Sequence, residues 1–364
     1  MKFIYLIDVS GLAYETVHSL CGYKGKNLKA DRMGHFLGLE KEKEDMLHIL
    51  HSKMGSNLSE TKKNSLNLEF IFDCFTGTPA RFDMFADYKG NRDANKTAFD
   101  SKEMKKVLMR YKEEMNILGC TTVEQAGVEA DDIIAHLVDY HTSRGFNVCM
   151  VSSDSDLKQL VSSENGVHCI MFDLSKQKAF VDLNFDLGGE EVSEMGNIFG
   201  SLGDDEDNFV PTWLENREAI NPNNILLQKI VAGDKSDNIP SAIYYTKGVS
   251  DMGVSEDRMK KIFAEGKLTA QKGFTYDSIK NDLLFVLNES IKTKKDPEII
   301  FDKDEHKKGF ERNSKLIKLD CNILSDSNKK EIVSSVSGDT SAFKNFYILE
   351  PFKQENMSWD KYNS

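Results

Sequence analysis

Three short apolar runs, KFIYLIDVS (2–10), LEFIFDCF (68–75) and FNVCMVSSDSD (146–156), each run into aspartate and are separated by enough chain for helices. Runs of this kind are rich in β-formers and read as strands. Between them lie the helical patterns HFLGLEKEKEDMLHILHSKM (35–54), SKEMKKVLMRYKEEMNILG (101–119) and DDIIAHLVDYHTSRG (131–145), the last two ending in glycine stops. Strands alternating with helices predict a parallel α/β sheet, in which ligands bind outside the carboxyl ends of the strands. Asp8, Asp73, Asp154 and Asp156 all fall at such ends.

More acids stand at helix starts. In GVEADDIIAHL (127–137), Glu129, Asp131 and Asp132 directly precede an apolar run. One acid there faces the positive end of the helix dipole. Three repel one another unless a cation separates them. Asp234 and Asp237 of GDKSDNIP (233–240) are three apart, as are Glu129 and Asp132, and each pair shares a helix face. Asp154 and Asp156, in extended chain, point to one side. A lone aspartate after a strand is usually a turn or cap residue. Carboxylates paired on separate segments instead suit Mg²⁺ or Mn²⁺, which prefer hard oxygen ligands, and suggest two-metal phosphoryl transfer.

Other chemistries find less support. The six cysteines (Cys21, Cys74, Cys120, Cys149, Cys169 and Cys321) form no C-x-x-C pair, and the eight histidines include no H-E-x-x-H. A zinc enzyme is not expected, and the thiols read as buried in a reducing compartment. No apolar stretch approaches the roughly 20 residues of a membrane span. The N-terminal run, interrupted by Asp8, reads as a strand and not a signal peptide.

The 364 residues allow one large or two ordinary domains. Residues 187–207 carry seven acids, five glycines and no Lys or Arg, and read as an exposed, solubilising insertion. The expected division is a catalytic α/β domain at 1–186, an acidic insertion at 187–210 and a smaller helical domain at 211–364. A net charge of −12 speaks against nucleic acid, which favours basic surfaces. Setting aside the nine acids at element ends and the seven of the insertion leaves a mildly basic +4.

LIDVSGLAY, FDCFTG, YKGNRD, GVEADDIIAHLV, SSDSDLKQLV and GDKSDNIP, in this order, closely resemble the 5′-nuclease (flap endonuclease) family, and most of all its phage ribonuclease H branch. The resemblance covers about residues 1–180 and 225–240 and touches ERNSKLIKLD (311–320). It implies a PIN-like, mostly parallel central sheet flanked by helices, with an arch around 76–118. A smaller helical domain with a helix-hairpin-helix element would follow. It further implies two Mg²⁺ ions, replaceable by Mn²⁺. By motif position, Asp8, Asp73, Glu129 and Asp131 match ligands of the first metal, and Asp154, Asp156 and Asp234 those of the second. Asp132 and Asp237 match acids that hold metal-coordinated water. The metals would activate water and stabilise charge at the attacked phosphate.

In the family the arch supplies basic contacts to the scissile phosphate, which here match Lys89 and Arg92. Arg81 and Lys96 are weaker candidates for guiding a single strand. Tyr14 and Tyr88 are candidates for base stacking, with packing the commoner use of such aromatics. In SAIYYTKGVSDMGVSEDRMKKIF (241–263), Gly248 and Gly253 stand too far apart for the family's G-x-G hairpin, which puts a K⁺ site there in doubt. Ser255 is a plausible N-cap, and Lys247, Lys260 and Lys261 are candidate phosphate contacts.

The expected activity is metal-dependent 5′→3′ exonuclease and flap endonuclease cleavage of nicked, flapped or RNA·DNA duplexes. Primer removal in phage replication, in the cytoplasm of an infected bacterium, is the lineage expectation. A single-stranded-DNA-binding replication protein is a partner by analogy, and no membrane is involved. The alternatives are a catalytically silent binder of branched DNA with the same fold, and a single-strand-specific PIN ribonuclease.

Overall fold

The computed structural model describes residues 2–21, 37–57, 65–76, 79–90, 99–186, 212–247, 250–291, 303–320 and 322–336. The acidic insertion, Arg92, Lys96 and Gly248 lie outside the described residues. The chain runs β1 (Phe3–Asp8), α1 (Val9–Cys21), α2 (Glu40–Asn57), β2 (Ser65–Ile71), α3 (Arg81–Met84), α4 (Ser101–Ile117), β3 (Thr121–Val123), α5 (Ala130–Thr142) and β4 (Asn147–Val151). It continues through β5 (Ser162–Glu164), β6 (Val167–Asp173), β7 (Lys178–Asp182), β8 (Arg217–Ile220), α6 (Pro222–Ala232), β9 (Tyr244–Lys247) and β10 (Ser250–Gly253). Helices α7 (Glu256–Ala264), α8 (Tyr276–Ile291), α9 (Lys303–Ile317) and α10 (Asp326–Val336) complete it.

Two compact units result, and neither is continuous in sequence. The first comprises residues 1–79, 96–220 and 320–364; the second comprises 80–95 and 221–319.

The first unit is built on an eight-stranded sheet of order β3-β2-β1-β4-β6-β7-β8, with β5 pairing alongside β6. The expected parallel sheet is present: β1 pairs in parallel with β2 and β4, β2 with β3, β4 with β6, and β7 with β8. The exceptions are local. β7 runs antiparallel to β6 because they are joined by a tight turn, where Asp173 accepts from the Ser175 amide and hydroxyl and the Lys176 amide. β1 is buried along its whole length, so its apolar run is continuous and not alternating. Phe3, Tyr5 and Ile7 pack with Val107, Tyr111 and Met115 of α4 and with Met46 and Leu50 of α2 in one core. Each such side chain contributes roughly 1.5–3 kcal/mol on burial.

The second unit packs α6 against α7 and α9 around Leu227, Ile230, Met259, Ile262 and Phe310, with the antiparallel hairpin β9–β10 beside them. Asn221 caps α6 by accepting from the Asn223 and Asn224 amides, with Pro222 in the first turn. Ser255 caps α7 as its sequence position suggested. No helix among the described residues is long and apolar enough to cross a membrane.

Candidate functional site

In the first unit the strand ends are stitched together through carboxylates. Asp8, the last residue of β1, is buried; one oxygen accepts from the Gly11 amide (2.7 Å) and the other from the Ser152 hydroxyl (2.8 Å). A Cβ at position 11 would collide with that carboxylate, so only glycine lets α1 start so close to it. The same Ser152 hydroxyl accepts from the Asp154 amide (3.0 Å), and Asp154 accepts from the Asp156 amide (2.8 Å) to cap a short 3₁₀ turn at 155–160. Past the end of β2, the Asp73 amide donates to the Ser10 hydroxyl (2.9 Å), and the Asp73 carboxylate accepts from the Ala130 amide at the start of α5 (2.9 Å). Glu129 holds the N-cap position of α5 but makes no side-chain cap bond there. Capping therefore does not explain the acid at 129. Asp131 lies in the first turn of α5, half-buried, and Asp132 is buried beside it.

The electrostatics tie these groups together. Burial pushes the Asp8 carboxyl up; the Gly11 and Ser152 bonds oppose this, the charges of Asp73 and Asp154 add to it, and the result is about 7. Asp131 is held well above the ordinary aspartate range, first by desolvation and then by repulsion from Asp154, Asp8, Asp156 and Asp73. Five carboxyl groups from β1, β2, α5 and the β4 end thus share one field. Among the described residues, no three His, Cys, Asp or Glu side chains close into a ready-made ion cage. The donor set is nonetheless entirely carboxylate oxygen, so its chemistry fits Mg²⁺ or Mn²⁺. Positive charge is also what would relieve the repulsion that raises Asp8 and Asp131.

The second unit holds Asp234 and Asp237 in a loop of its own. Asp234 bridges back to Ile239 through paired backbone bonds (2.9 and 2.7 Å). Its carboxylate accepts from the Ser236 amide (2.8 Å) and from Lys229 Nζ (3.1 Å). Burial raises its pKa, but Lys229 and Ser236 outweigh this and leave it below the ordinary value. Gly233 precedes it at φ 75°, where a Cβ would strike the Ile239 carbonyl and Pro240. Residues 87–90 clasp the same loop: the Lys89 amide donates to the Asp237 carbonyl (2.8 Å), and Asn238 Nδ2 donates to the Asp87 carbonyl (2.9 Å). Lys89 adopts φ 54°, and its ammonium lies 4.9 Å from the centre of the Tyr88 ring.

One expected role changes. Arg81 is not placed to guide a strand: it is buried, and its Nε donates to the Leu316 carbonyl (2.8 Å). Tyr88 is buried with its hydroxyl donating to Asp237 (3.1 Å), so packing wins over base stacking there. Tyr14 packs against Phe99, with ring centres 5.9 Å apart. Lys260 and Lys261 are exposed on α7 and paired with Glu256 (2.8 Å) and Glu265 (3.8 Å). The side chain of Lys247 lies outside the described residues. Ser10, Gly11 and Ser152 are site residues that the sequence reading missed. Their signal is small residues beside strand-end acids, in DVSG and SSDSD.

DNA polymerase I of Streptococcus pneumoniae strain R6 is 29% identical to the chain over 163 residues, covering 45% of this chain and 15% of the polymerase. The thermostable DNA polymerase I of Thermus aquaticus is 24% identical over 268 residues, covering 73% of this chain and 24% of that one. The chain thus spans a quarter or less of the length of these relatives. Among solved structures, bacteriophage T5 D15 protein co-crystallised with metal ions aligns at TM-score 0.48 and 16% identity, covering 92% of this chain and all of that one. The model of the 5′-3′ exonuclease N-terminal, resolvase-like domain matches residues 3–186, from the first residue of β1 to beyond β7. That stretch holds all five coupled carboxylates and about half of the chain, and by it the chain belongs to the 5′-3′ exonuclease family.

Proposed function

We propose that this chain is a divalent-metal-dependent 5′→3′ nuclease that hydrolyses phosphodiesters at the 5′ ends of nicked, flapped or RNA·DNA duplexes. One observation carries the reading: five carboxylates brought together from separate elements, two of them with raised pKa. Asp8, Asp73, Glu129 and Asp131 are the proposed ligands of one Mg²⁺, and Asp154 and Asp156 of another, with Asp132 in an outer role. When bound, such ions acidify water and neutralise charge at the attacked phosphate and the leaving oxygen. The chain's own contribution is positional. Ser152 fixes Asp8 against Asp154, and Ser10 and the Ala130 amide fix Asp73, so the ligands are oriented before a cation arrives. The roles that the resemblance gives to Asp234, Asp237, Lys89, Arg92 and Lys96, and to Lys247, Lys260 and Lys261, belong to the same proposal. So do RNase H activity, primer removal and a replication partner.

The test is cleavage of a 5′-labelled flap duplex and of a nicked RNA·DNA duplex in Mg²⁺, wild type beside Asp154→Asn. Cleavage near the 5′ junction by wild type, with a loss of at least about 100-fold in the variant, is the expected outcome. Product lengths then separate exonuclease from endonuclease action. Junction binding without cleavage in Mg²⁺ or Mn²⁺ would mark a silent binder and end the enzyme reading.

A further inference from the structure

Glu124 follows β3 and belongs to none of the carboxylates above, yet it sits at the hub of a tight clasp. One of its oxygens accepts from the Phe75 amide (3.0 Å), and the other accepts from Lys112 Nζ of α4 (2.8 Å). The Phe75 carbonyl accepts from Lys105 Nζ, also on α4, and Lys112 Nζ lies 5.7 Å from the centre of the Phe75 ring. One residue further on, the Thr76 carbonyl accepts from the Gly127 amide (2.9 Å). The segments 73–76 and 124–130 are therefore laced together twice, at Phe75–Glu124 and Thr76–Gly127, with a third link from Asp73 to the Ala130 amide.

The clasp has a consequence for geometry. Asp73 lies on the first segment and Asp131 directly follows the second, and Lys105 and Lys112, seven residues apart, present one face of α4 to them. The Glu124–Lys112 pair is largely shielded, with side-chain exposures of 16% and 23%, which sets it apart from a surface pair that water would loosen. A backbone amide bonded to a carboxylate is among the stronger hydrogen bonds, and its loss leaves the Phe75 N–H without that acceptor. We infer that Glu124 is a positioning residue for the cation site: by joining the Phe75 amide to Lys112 it sets the register of α4 against the loops that carry Asp73 and Asp131. This rests on the metal-dependent reading above. It also gives α4 a direct mechanical hold on the ligand set, so that a shift of α4 is felt at Asp73.

The experiment uses the full chain as wild type, Glu124→Ala, Glu124→Gln, Lys112→Met and the Glu124→Ala/Lys112→Met pair. Mn²⁺ binding is titrated by calorimetry without nucleic acid, and the Mg²⁺ dependence of flap cleavage is measured alongside. Glu124→Ala is expected to weaken Mn²⁺ binding and raise half-saturating Mg²⁺ by about 10- to 100-fold, as loss of an outer-shell partner does. Glu124→Gln keeps a neutral acceptor for the Phe75 amide and should recover binding to within about threefold. Lys112→Met should weaken Mn²⁺ binding about threefold or more, and the double variant should lose less than the product of the two single effects. A Glu124 with a merely structural role would lower the melting temperature and leave Mn²⁺ binding by the folded protein unchanged; that result overturns the inference. If Glu124→Ala does not fold, Lys112→Met carries the same test, and unchanged Mn²⁺ affinity there overturns it equally. A wild type that binds no Mn²⁺ and cuts nothing instead overturns the metal-dependent reading itself, whatever the variants do.

Discussion

Asp8 shows how a single residue serves function against stability. Its folded pKa of about 7 lies above the ordinary 3.8, so the folded chain keeps a proton that the unfolded chain releases. In EDTA this contribution to stability is fully present below pH 3.8, and it is lost as pH rises through about 7. Melting temperature in EDTA should therefore carry a component that falls over that window, and saturating Mn²⁺ should flatten it. Asp8→Asn removes the buried charge; at pH 8 in EDTA it should raise stability by on the order of 1 kcal/mol, about 2–4 °C, while abolishing cleavage. An Asp8→Asn protein less stable than wild type in EDTA would show that the Gly11 and Ser152 bonds outweigh the burial. At this scale the sequence was legible where chemistry repeats, in acids at strand ends. It was silent on Ser152 and Gly11, because a serine or glycine looks the same whether it holds a carboxylate or fills a turn. It misled on Arg81, since nothing in the local sequence marks a guanidinium that finds its acceptor 235 residues away.

At the scale of the element, α4 is the instructive case. Asp100 caps it, accepting from the Lys102 and Glu103 amides, and its apolar face of Met104, Val107, Leu108, Tyr111 and Met115 enters the core as the helical periodicity predicts. Arg110 and Glu114 of that helix are both fully buried and paired at 3.0 Å. Further partners come from α2, where Glu44 accepts from Arg110 (2.8 Å) and His51 meets Glu114 (2.7 Å). A one-dimensional pattern cannot reveal such burial, because it is made by a second helix about 60 residues earlier. Removing Glu114 takes the fully buried carboxylate from the Arg110 guanidinium and leaves it the part-exposed Glu44. Glu114→Ala should cost about 3 kcal/mol or more in urea unfolding, well beyond an exposed acid such as Glu164. A loss below about 1 kcal/mol would mean that Arg110 reaches water in the variant.

Across the whole molecule, the central sheet was readable because parallel strands buried on both faces appear as unbroken apolar runs. β8 was not, since REAI is short and half exposed at the sheet edge. Nor was α10, where DSNKKEIVSSV offers Ile332 and Val336 as its buried apolar residues. That helix packs on β3 and α5, with Gln125 donating to Glu331 (2.9 Å) and His136 meeting the Lys329 carbonyl (3.3 Å). A chain stopped after residue 320 should therefore melt at a lower temperature and be nicked faster by protease near β3. Equal melting of the two chains would assign α10 no share in the first unit. The interleaving of the two units also bears on synthesis. Within these residues β1 is translated before the second unit, and the unit to which β1 belongs receives its last described helix only after the segments of the second unit have been translated. During that interval the β3–α5 surface stands uncovered on the ribosome, and the unit begun first is the one completed last.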